Sequence, residues 1–177
     1  MQITTNRLRI RPYTLADAPF LLELLNSPGW IENIGDRKVY DIPAAEAYIQ
    51  EKMLDSYAAY GHGYYLVELR ADDTPIGTCG VGQRDYLDHP DIGFAFLPEH
   101  TGRGYAYEAT RSLLSYARSI FQMPRMLAFT LPSNERSIRL LKKLGLRPVH
   151  PFHLPGDPEE LLLFDDAPGE STRTGDG

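Results

Sequence analysis

Ten residues, Leu97-Pro98-Glu99-His100-Thr101-Gly102-Arg103-Gly104-Tyr105-Ala106, lie between an apolar run and a long amphipathic segment. Glycines at such a strand-to-helix junction let successive backbone N–H groups converge on one concavity, and the helix dipole adds partial positive charge there. That arrangement binds phosphate. Two glycines can also serve a tight connection that needs positive φ, and this stretch alone leaves both readings open. It is not a P-loop, because no Gly-Lys-Ser/Thr follows, and the third glycine of the dinucleotide fingerprint is missing. Further on, Asn134 and Ser137 open a second amphipathic segment, where Asn134 fits a helix N-cap, a ligand contact, or both. Asp91, His89 and His100 flank the turn and are able to move a proton. The single cysteine, Cys79, permits neither a disulfide within the chain nor a Cys-rich metal site, and no metal is expected.

The charge distribution favours an anionic ligand. Between Thr101 and Arg147 nine basic residues face two acidic ones, a local charge of +7 inside a chain whose formal net charge is −6. The remainder therefore carries −13. A sequence pI near 5.3 argues against a general nucleic-acid binder, so no nucleic-acid partner is expected. No apolar run reaches the roughly 20 residues of a membrane span and no signal core opens the chain, so a cytoplasmic protein with no membrane partner is expected.

These residues must be held by a fold that 177 residues can supply as one domain. Alternating apolar and basic residues over Leu8 to Tyr13 predict a half-buried strand. Thr14, with Asp17 in capping-box spacing, predicts a helix running to the breakers Asn26 to Gly29, and a second helix follows Pro43 and ends before Gly61. Tyr64 to Leu69 and Pro75 to Gln83 read as a hairpin, Asp91 to Leu97 as the next strand, and Gly104 to Phe121 as a long helix. Met126 to Leu131 suits a buried parallel strand, a helix capped at Ser133 or Asn134 runs to Leu144, and Glu160 to Phe164 is a late strand. The expected class is α/β with a mixed, mostly antiparallel sheet of about seven strands. Residues 1–166 form the domain, and Ala167 to Gly177 reads as a disordered tail.

Together the two motifs resemble those of the GCN5-related N-acetyltransferase (GNAT) superfamily, in particular its branch resembling the ribosomal-protein N-terminal acetyltransferases RimJ and RimL. Gly102 to Ala109 is similar to that branch's Gly-x-Gly-Tyr-Ala-x-Glu-Ala turn, and Asn134 to Leu146 to its Asn-x-x-Ser helix ending in Gly-Phe. Leu8 to Pro12 and Asp91 to Phe94 fit the same pattern, so the resemblance spans about residues 7 to 165. It implies the acyl-CoA N-acyltransferase fold, with a V-shaped splay between the fourth and fifth strands. It also implies acetyl-CoA as cofactor, with pyrophosphate on the N–H groups of Thr101, Gly102, Arg103, Gly104, Tyr105 and Ala106. The pantetheine arm would lie beside Phe94 to Leu97, with Asn134 and Ser137 reaching it from the later helix.

The implied reaction is direct attack of a primary amine on the thioester. Asp91, where this branch often has Glu, is the candidate base, although a strand-start residue facing solvent is the plainer reading. A backbone N–H near Phe96 or Leu97, freed by a bulge, is the candidate oxyanion donor. Two departures are visible: Thr101 replaces the usual Gln or Arg, and Leu141 occupies the position where many relatives place a Tyr acid, leaving Ser137 or solvent for that task. Trp30 and Tyr64 are candidate acceptor contacts, and Trp30, Glu32, Asp36, Tyr40 and Asp41 would make an aromatic and acidic cleft for a cation, although a core or lid tryptophan with solvated acids is the plainer reading. The acceptor is a protein N-terminal amine or a small-molecule amine, and the chain is expected to be a monomer or homodimer. The alternative is a CoA-binding sensor or interaction module of the same fold without turnover.

Overall fold

Alternation in the first predicted strand does what a half-buried strand requires. Leu8 and Ile10 are fully buried, while Arg9 and Arg11 turn to the opposite face and pair with Glu68 at 2.8 and 3.0 Å. The computed structural model describes residues 1–167, so the expected tail falls outside the described residues from 168 onward. Its strands are β1 (Ile3–Thr4), β2 (Leu8–Pro12), β3 (Tyr64–Leu69), β4 (Pro75–Gly82), β5 (Asp91–Phe96), β6 (Leu127–Thr130), β7 (Arg147–Phe152) and β8 (Leu161–Asp165). They form one sheet in the order β1-β2-β3-β4-β5-β6-β8-β7. Every adjacent pair is antiparallel except β5 with β6.

The sheet thus has eight strands rather than about seven. Two strands, β1 and β7, lie outside the ranges read from the sequence; β1 pairs only Ile3 with Ile10 and Thr4 with Arg9, too short a stretch to leave a period of two. The carboxy-terminal strand β8 is internal, and the edge belongs to β7, whose Pro148 and Pro151 cannot donate to an added strand.

Six helices cover the two faces. On one side lie α1 (Ala18–Leu25), α2 (Pro28–Asn33), α3 (Ile42–Ile49) and α4 (Asp55–Tyr60), and on the other α5 (Tyr105–Ser119) and α6 (Glu135–Lys143). Thr14 N–H donates to Asp17 Oδ2 at 2.8 Å, as a capping box requires, but the first turn is 3₁₀ (Leu15–Asp17) before α1 begins. The breakers at Asn26 to Gly29 do end α1. Pro28 then starts the short helix α2 within the stretch expected to be loop, because proline is favoured at a first helical position. The second predicted helix runs unbroken from Ile42 to Tyr60, with a π turn at Gln50–Leu54 joining α3 to α4. Gly61 ends it in the left-handed conformation.

Two apolar clusters sandwich the sheet. Leu8, Ile10, Val81, Ile92, Leu113, Leu114 and Leu141 belong to the cluster under α5 and α6. Leu21, Leu24, Leu25, Ile49, Leu66 and Leu97 belong to the one under α1 and α3. Because successive strand residues face opposite sides, Ile92, Phe94 and Phe96 point toward α5, whereas Ala95 and Leu97 point toward α1. Among the described residues no helix is long and apolar enough to cross a membrane.

Candidate active site

Parallel strands β5 and β6 pair only at Asp91 with Leu127, closed by a 2.9 Å bond from Leu127 N–H to the Pro90 carbonyl. Beyond that point they diverge, which is the expected splay. The antiparallel register of β4 and β5 decides which backbone groups face the gap. Leu97 N–H donates to the Ile76 carbonyl at 2.9 Å, so residues 97, 95, 93 and 91 bond toward β4 and residues 92, 94 and 96 turn away from it. The N–H and C=O groups of Phe94 and Phe96 therefore line the slot. The bulge expected near Phe96 or Leu97 is absent: pairing with β4 runs regularly from Gly82 with Asp91 to Gly77 with Phe96. Leu97 N–H is consequently occupied, and of that pair Phe96 N–H remains open.

At the open end of the slot a 3₁₀ turn, Pro98–His100, leads into the glycine turn. Gly102 and Gly104 have φ of +74° and +81°, the left-handed region that residues with a Cβ avoid. Gly104 is the N-cap of α5 and brings no side-chain cap, so the first N–H groups of a 15-residue helix stay open. Among the described residues no backbone or side-chain acceptor takes the N–H groups of residues 102 to 107. Thr101 departs from expectation. Its N–H donates to the Pro98 carbonyl at 3.2 Å and its hydroxyl to the same oxygen at 2.8 Å, so it shapes the turn instead of supplying a donor. Six successive amides at a helix head, ringed by cations, match the chemistry of a pyrophosphate.

The turn is clasped from the amino terminus through Glu108, a motif residue to which sequence reasoning gave no role. Glu108 accepts from Thr5 Oγ1 (2.6 Å), Arg7 N–H (2.9 Å) and Arg7 Nε (2.7 Å), and Arg7 Nη1 also donates to the Arg103 carbonyl at 3.0 Å. Partial burial works against the Glu108 charge. The bonds from Thr5 and Arg7 outweigh it and hold the carboxyl below its ordinary range. The Arg7 guanidinium lies over the Tyr105 ring at 4.4 Å. A groove lined by Arg7, Gly104, Tyr107 and Arg111 continues along α5, where Lys143 of α6 packs on the Tyr107 ring at 4.1 Å. Of the nine basic residues in the cationic segment, Arg118, Arg125 and Arg139 are engaged with Asp166, Asp165 and Glu135.

Asn134 is the N-cap of α6, its Oδ1 accepting from Ser137 N–H at 3.2 Å. The capping reading therefore holds, and the Nδ2 amide and the Ser137 hydroxyl donate to no group among the described residues. Leu141 is 1% exposed and packed in the α5-side core, so nothing on that turn of α6 replaces the tyrosine acid.

Asp91 does not face solvent. Its side chain is 3% exposed, and its Oδ1 accepts from Arg84 Nε at 2.7 Å. Burial opposes the Arg84 charge, but the Asp91 carboxylate more than offsets this and raises the guanidinium pKa. Arg84 also donates to Tyr86 Oη at 3.1 Å and lies over the Phe129 ring of β6 at 5.1 Å, so the β4–β5 loop is tied across the closed end of the slot. Tyr64 reaches the same place from β3. Trp30, on α2, packs against the cluster that Tyr64 also borders, and its buried indole N–H has no partner among the described residues. The expected acidic rim is largely spent on local structure. Asp41 caps α3 through the Ala44 N–H at 2.8 Å, and Asp36 bonds the Tyr40 hydroxyl. Among the described residues no cluster of His, Cys, Asp or Glu could hold a metal ion.

Comparison with known proteins adds independent information. The model of the acetyltransferase (GNAT) domain family matches residues 7–147. An uncharacterized N-acetyltransferase of Bacillus subtilis (strain 168), YnaD, is 30% identical over 148 residues, 83% of each chain. Another, p20 of Bacillus licheniformis, is 28% identical over 145 residues, 81% of this chain and 80% of the relative. Among solved structures, an acetyltransferase of Agrobacterium tumefaciens str. C58 superposes with a TM-score of 0.78 at 25% identity, covering 93% of both chains. The ribosomal L7/L12 α-N-protein acetyltransferase RimL, solved in complex with coenzyme A, gives 0.80 at 15% identity over 94% of this chain and 99% of that one, a likeness of fold.

Proposed function

The chain belongs to the GNAT acetyltransferase family and is an acetyl-CoA-dependent N-acetyltransferase; from that premise we propose how its own residues divide the work. The observation that carries the proposal is the coincidence of six open amides at the head of α5 with a slot lined by the open backbone groups of Phe94 and Phe96. The N–H groups of Gly102, Arg103, Gly104, Tyr105, Ala106 and Tyr107 hold pyrophosphate, and the Tyr107–Lys143 groove takes the nucleotide end. Phe96, with its N–H and C=O, and the Phe94 C=O pair with the amides of the pantetheine arm as a neighbouring strand would. Asn134 Nδ2 and the Ser137 hydroxyl donate from the other wall. Once bound, acetyl-CoA supplies an activated acetyl group as a thioester.

A primary amine, either a protein N-terminal amine or a small molecule, attacks directly in a ternary complex. It enters on the α1 face, bordered by Trp30 and Tyr64. Asp91 Oδ2, which has no hydrogen-bond partner among the described residues, accepts the amine's proton directly or through water, while Arg84 fixes Oδ1. Of the two slot-facing N–H groups, that of Phe94 lies nearer Asp91 and is the donor for developing negative charge on oxygen. A covalent acyl-cysteine route has no support, since Cys79 is fully buried and burial pushes its thiol pKa up.

Release of free CoA thiol, measured against a panel of amines and amino-terminal peptides, tests this reading. Acceptor-dependent release is expected for at least one class. Acetyl-CoA binding with no release on any amine, at any pH between 6 and 9, would contradict direct transfer; these limits are roughly the range over which amines and enzyme bases titrate.

A further inference from the structure

Tyr64 lies in a bed that two glycines clear for it. A Cβ on Gly80 of β4 would overlap the Tyr64 backbone and ring, and a Cβ on Gly93 of β5 would overlap its hydroxyl. The ring therefore crosses β4 and ends with its oxygen against the Cα of Gly93, between Ile92 and Phe94, at the place where β5 parts from β6. The hydroxyl donates to no group among the described residues, and it lies beside the Arg84–Asp91 ion pair. Tyr64 also borders the α1-side cluster, to which Ala95 and Leu97 belong. Leu141, meanwhile, takes the tyrosine acid away from that turn of α6, which leaves the Ser137 hydroxyl as the rival donor.

From these placements we propose that Tyr64 is the proton donor to the departing sulfur, taking over from β3 the task that relatives assign to a tyrosine on the helix after β6. This rests on the acetyl-transfer reading given above. The new bond forms between the amine nitrogen and the acetyl carbon, and the carbon–sulfur bond breaks with its electron pair passing to sulfur. Tyr64 Oη gives its proton to that sulfur, which leaves as the thiol. The proton lost by the amine passes to Asp91 Oδ2 or a water on it, and from there back to Tyr64 Oη, so no proton is gained or lost beyond the exchange. Burial, followed by the Asp91 charge, pushes the Tyr64 pKa up. It is thus a donor at neutral pH and not a base.

The test is Tyr64→Phe, which keeps the ring in its bed and removes only the hydroxyl. Two readouts are needed. In the binary complex with CoA, ultraviolet absorbance of the thiolate gives the pKa of the bound thiol. A hydrogen bond from Tyr64 favours the thiolate, so the variant should raise that pKa by about half a unit to one unit, with CoA affinity by calorimetry unchanged within about twofold. In turnover with an accepted amine, kcat should fall by about 10²-fold with KM for the amine little changed. An unmoved thiol pKa, or a kcat within about threefold of the parent, the range of ordinary context effects, overturns the assignment. Because the first readout needs no acceptor, failure of the transfer reading shows up separately, as absence of turnover in the parent protein.

Discussion

Glu108 illustrates how a motif residue can act through its protein partners. It joins the amino-terminal segment to the head of α5, and its carboxyl is depressed by the bonds from Thr5 and Arg7. A carboxyl lowered in the folded state contributes stability that is full above its unfolded pKa, near 4.5, and is lost as pH falls through the folded value. Glu108→Gln should therefore flatten the acid limb of a urea-midpoint against pH curve below about pH 4.5 and leave less change near pH 7 than Glu108→Ala. Asp17 and Asp165, lowered by Arg11 and Arg125 against the opposing effect of burial, keep the rest of that limb in place. At Gly104, φ is +81° and a Cβ would lie 3.3 Å from Arg7 Nη2. Gly104→Val should cost about 1–3 kcal/mol in denaturant unfolding and weaken acetyl-CoA at least tenfold by calorimetry. At this scale the sequence was most legible: the glycine turn heads α5, Asn134 caps α6, and Asp91 stands where β5 meets β6. What it concealed were partners. Nothing local to Asp91 announces Arg84, and nothing local to Thr101 announces that the Pro98 carbonyl absorbs both its donors.

The register of β4 against β5 is the decisive relation among elements, because it assigns Phe94 and Phe96 to the slot and removes Leu97 from it. The Arg84–Asp91 pair then ties the β4–β5 loop across the end where β5 and β6 meet. Arg84→Ala would leave the nearly buried Asp91 carboxylate without its counter-charge. It should lower unfolding free energy by roughly 2–3 kcal/mol, a figure reduced because Arg84 itself is 32% exposed. Arg84→Lys should recover part of this, and its kcat should stay closer to the parent's than that of Arg84→Ala. Helix and strand periods in the sequence predicted most elements, since burial on one face imposes them. Four features escaped. Two-residue β1 is too short for a period, β7 carries the breakers Pro148 and Pro151, α2 begins at a proline that also reads as a breaker, and the π turn shifts the apolar pattern without breaking the helix.

Taken as a whole, the molecule divides its charges along the chain. The cationic segment from Thr101 to Arg147 supplies α5, α6 and the turn that heads α5. Three of its nine basic residues are engaged by Asp166, Asp165 and Glu135, which leaves six with no acidic side-chain partner among the described residues. Acetyl-CoA affinity should consequently fall several-fold as ionic strength rises from about 0.05 to 0.5 M, because screening shortens from roughly 14 Å to 4 Å. The acidic remainder is less informative than its net charge suggests, since Asp17, Asp36, Asp41, Glu68 and Asp91 are consumed by caps and ion pairs. A splay between two strands is likewise invisible to any local pattern. It occurs at the one parallel pair of an otherwise antiparallel sheet, and only the motif resemblance pointed to it. The most direct test of the account is a backbone amide spectrum of the isotopically labelled protein titrated with acetyl-CoA. The predicted result is that the amides of Gly102 to Tyr107, with those of Phe94 and Phe96, show the largest shifts and the strongest protection from exchange. Saturable binding that leaves those amides unmoved while shifting others would contradict it.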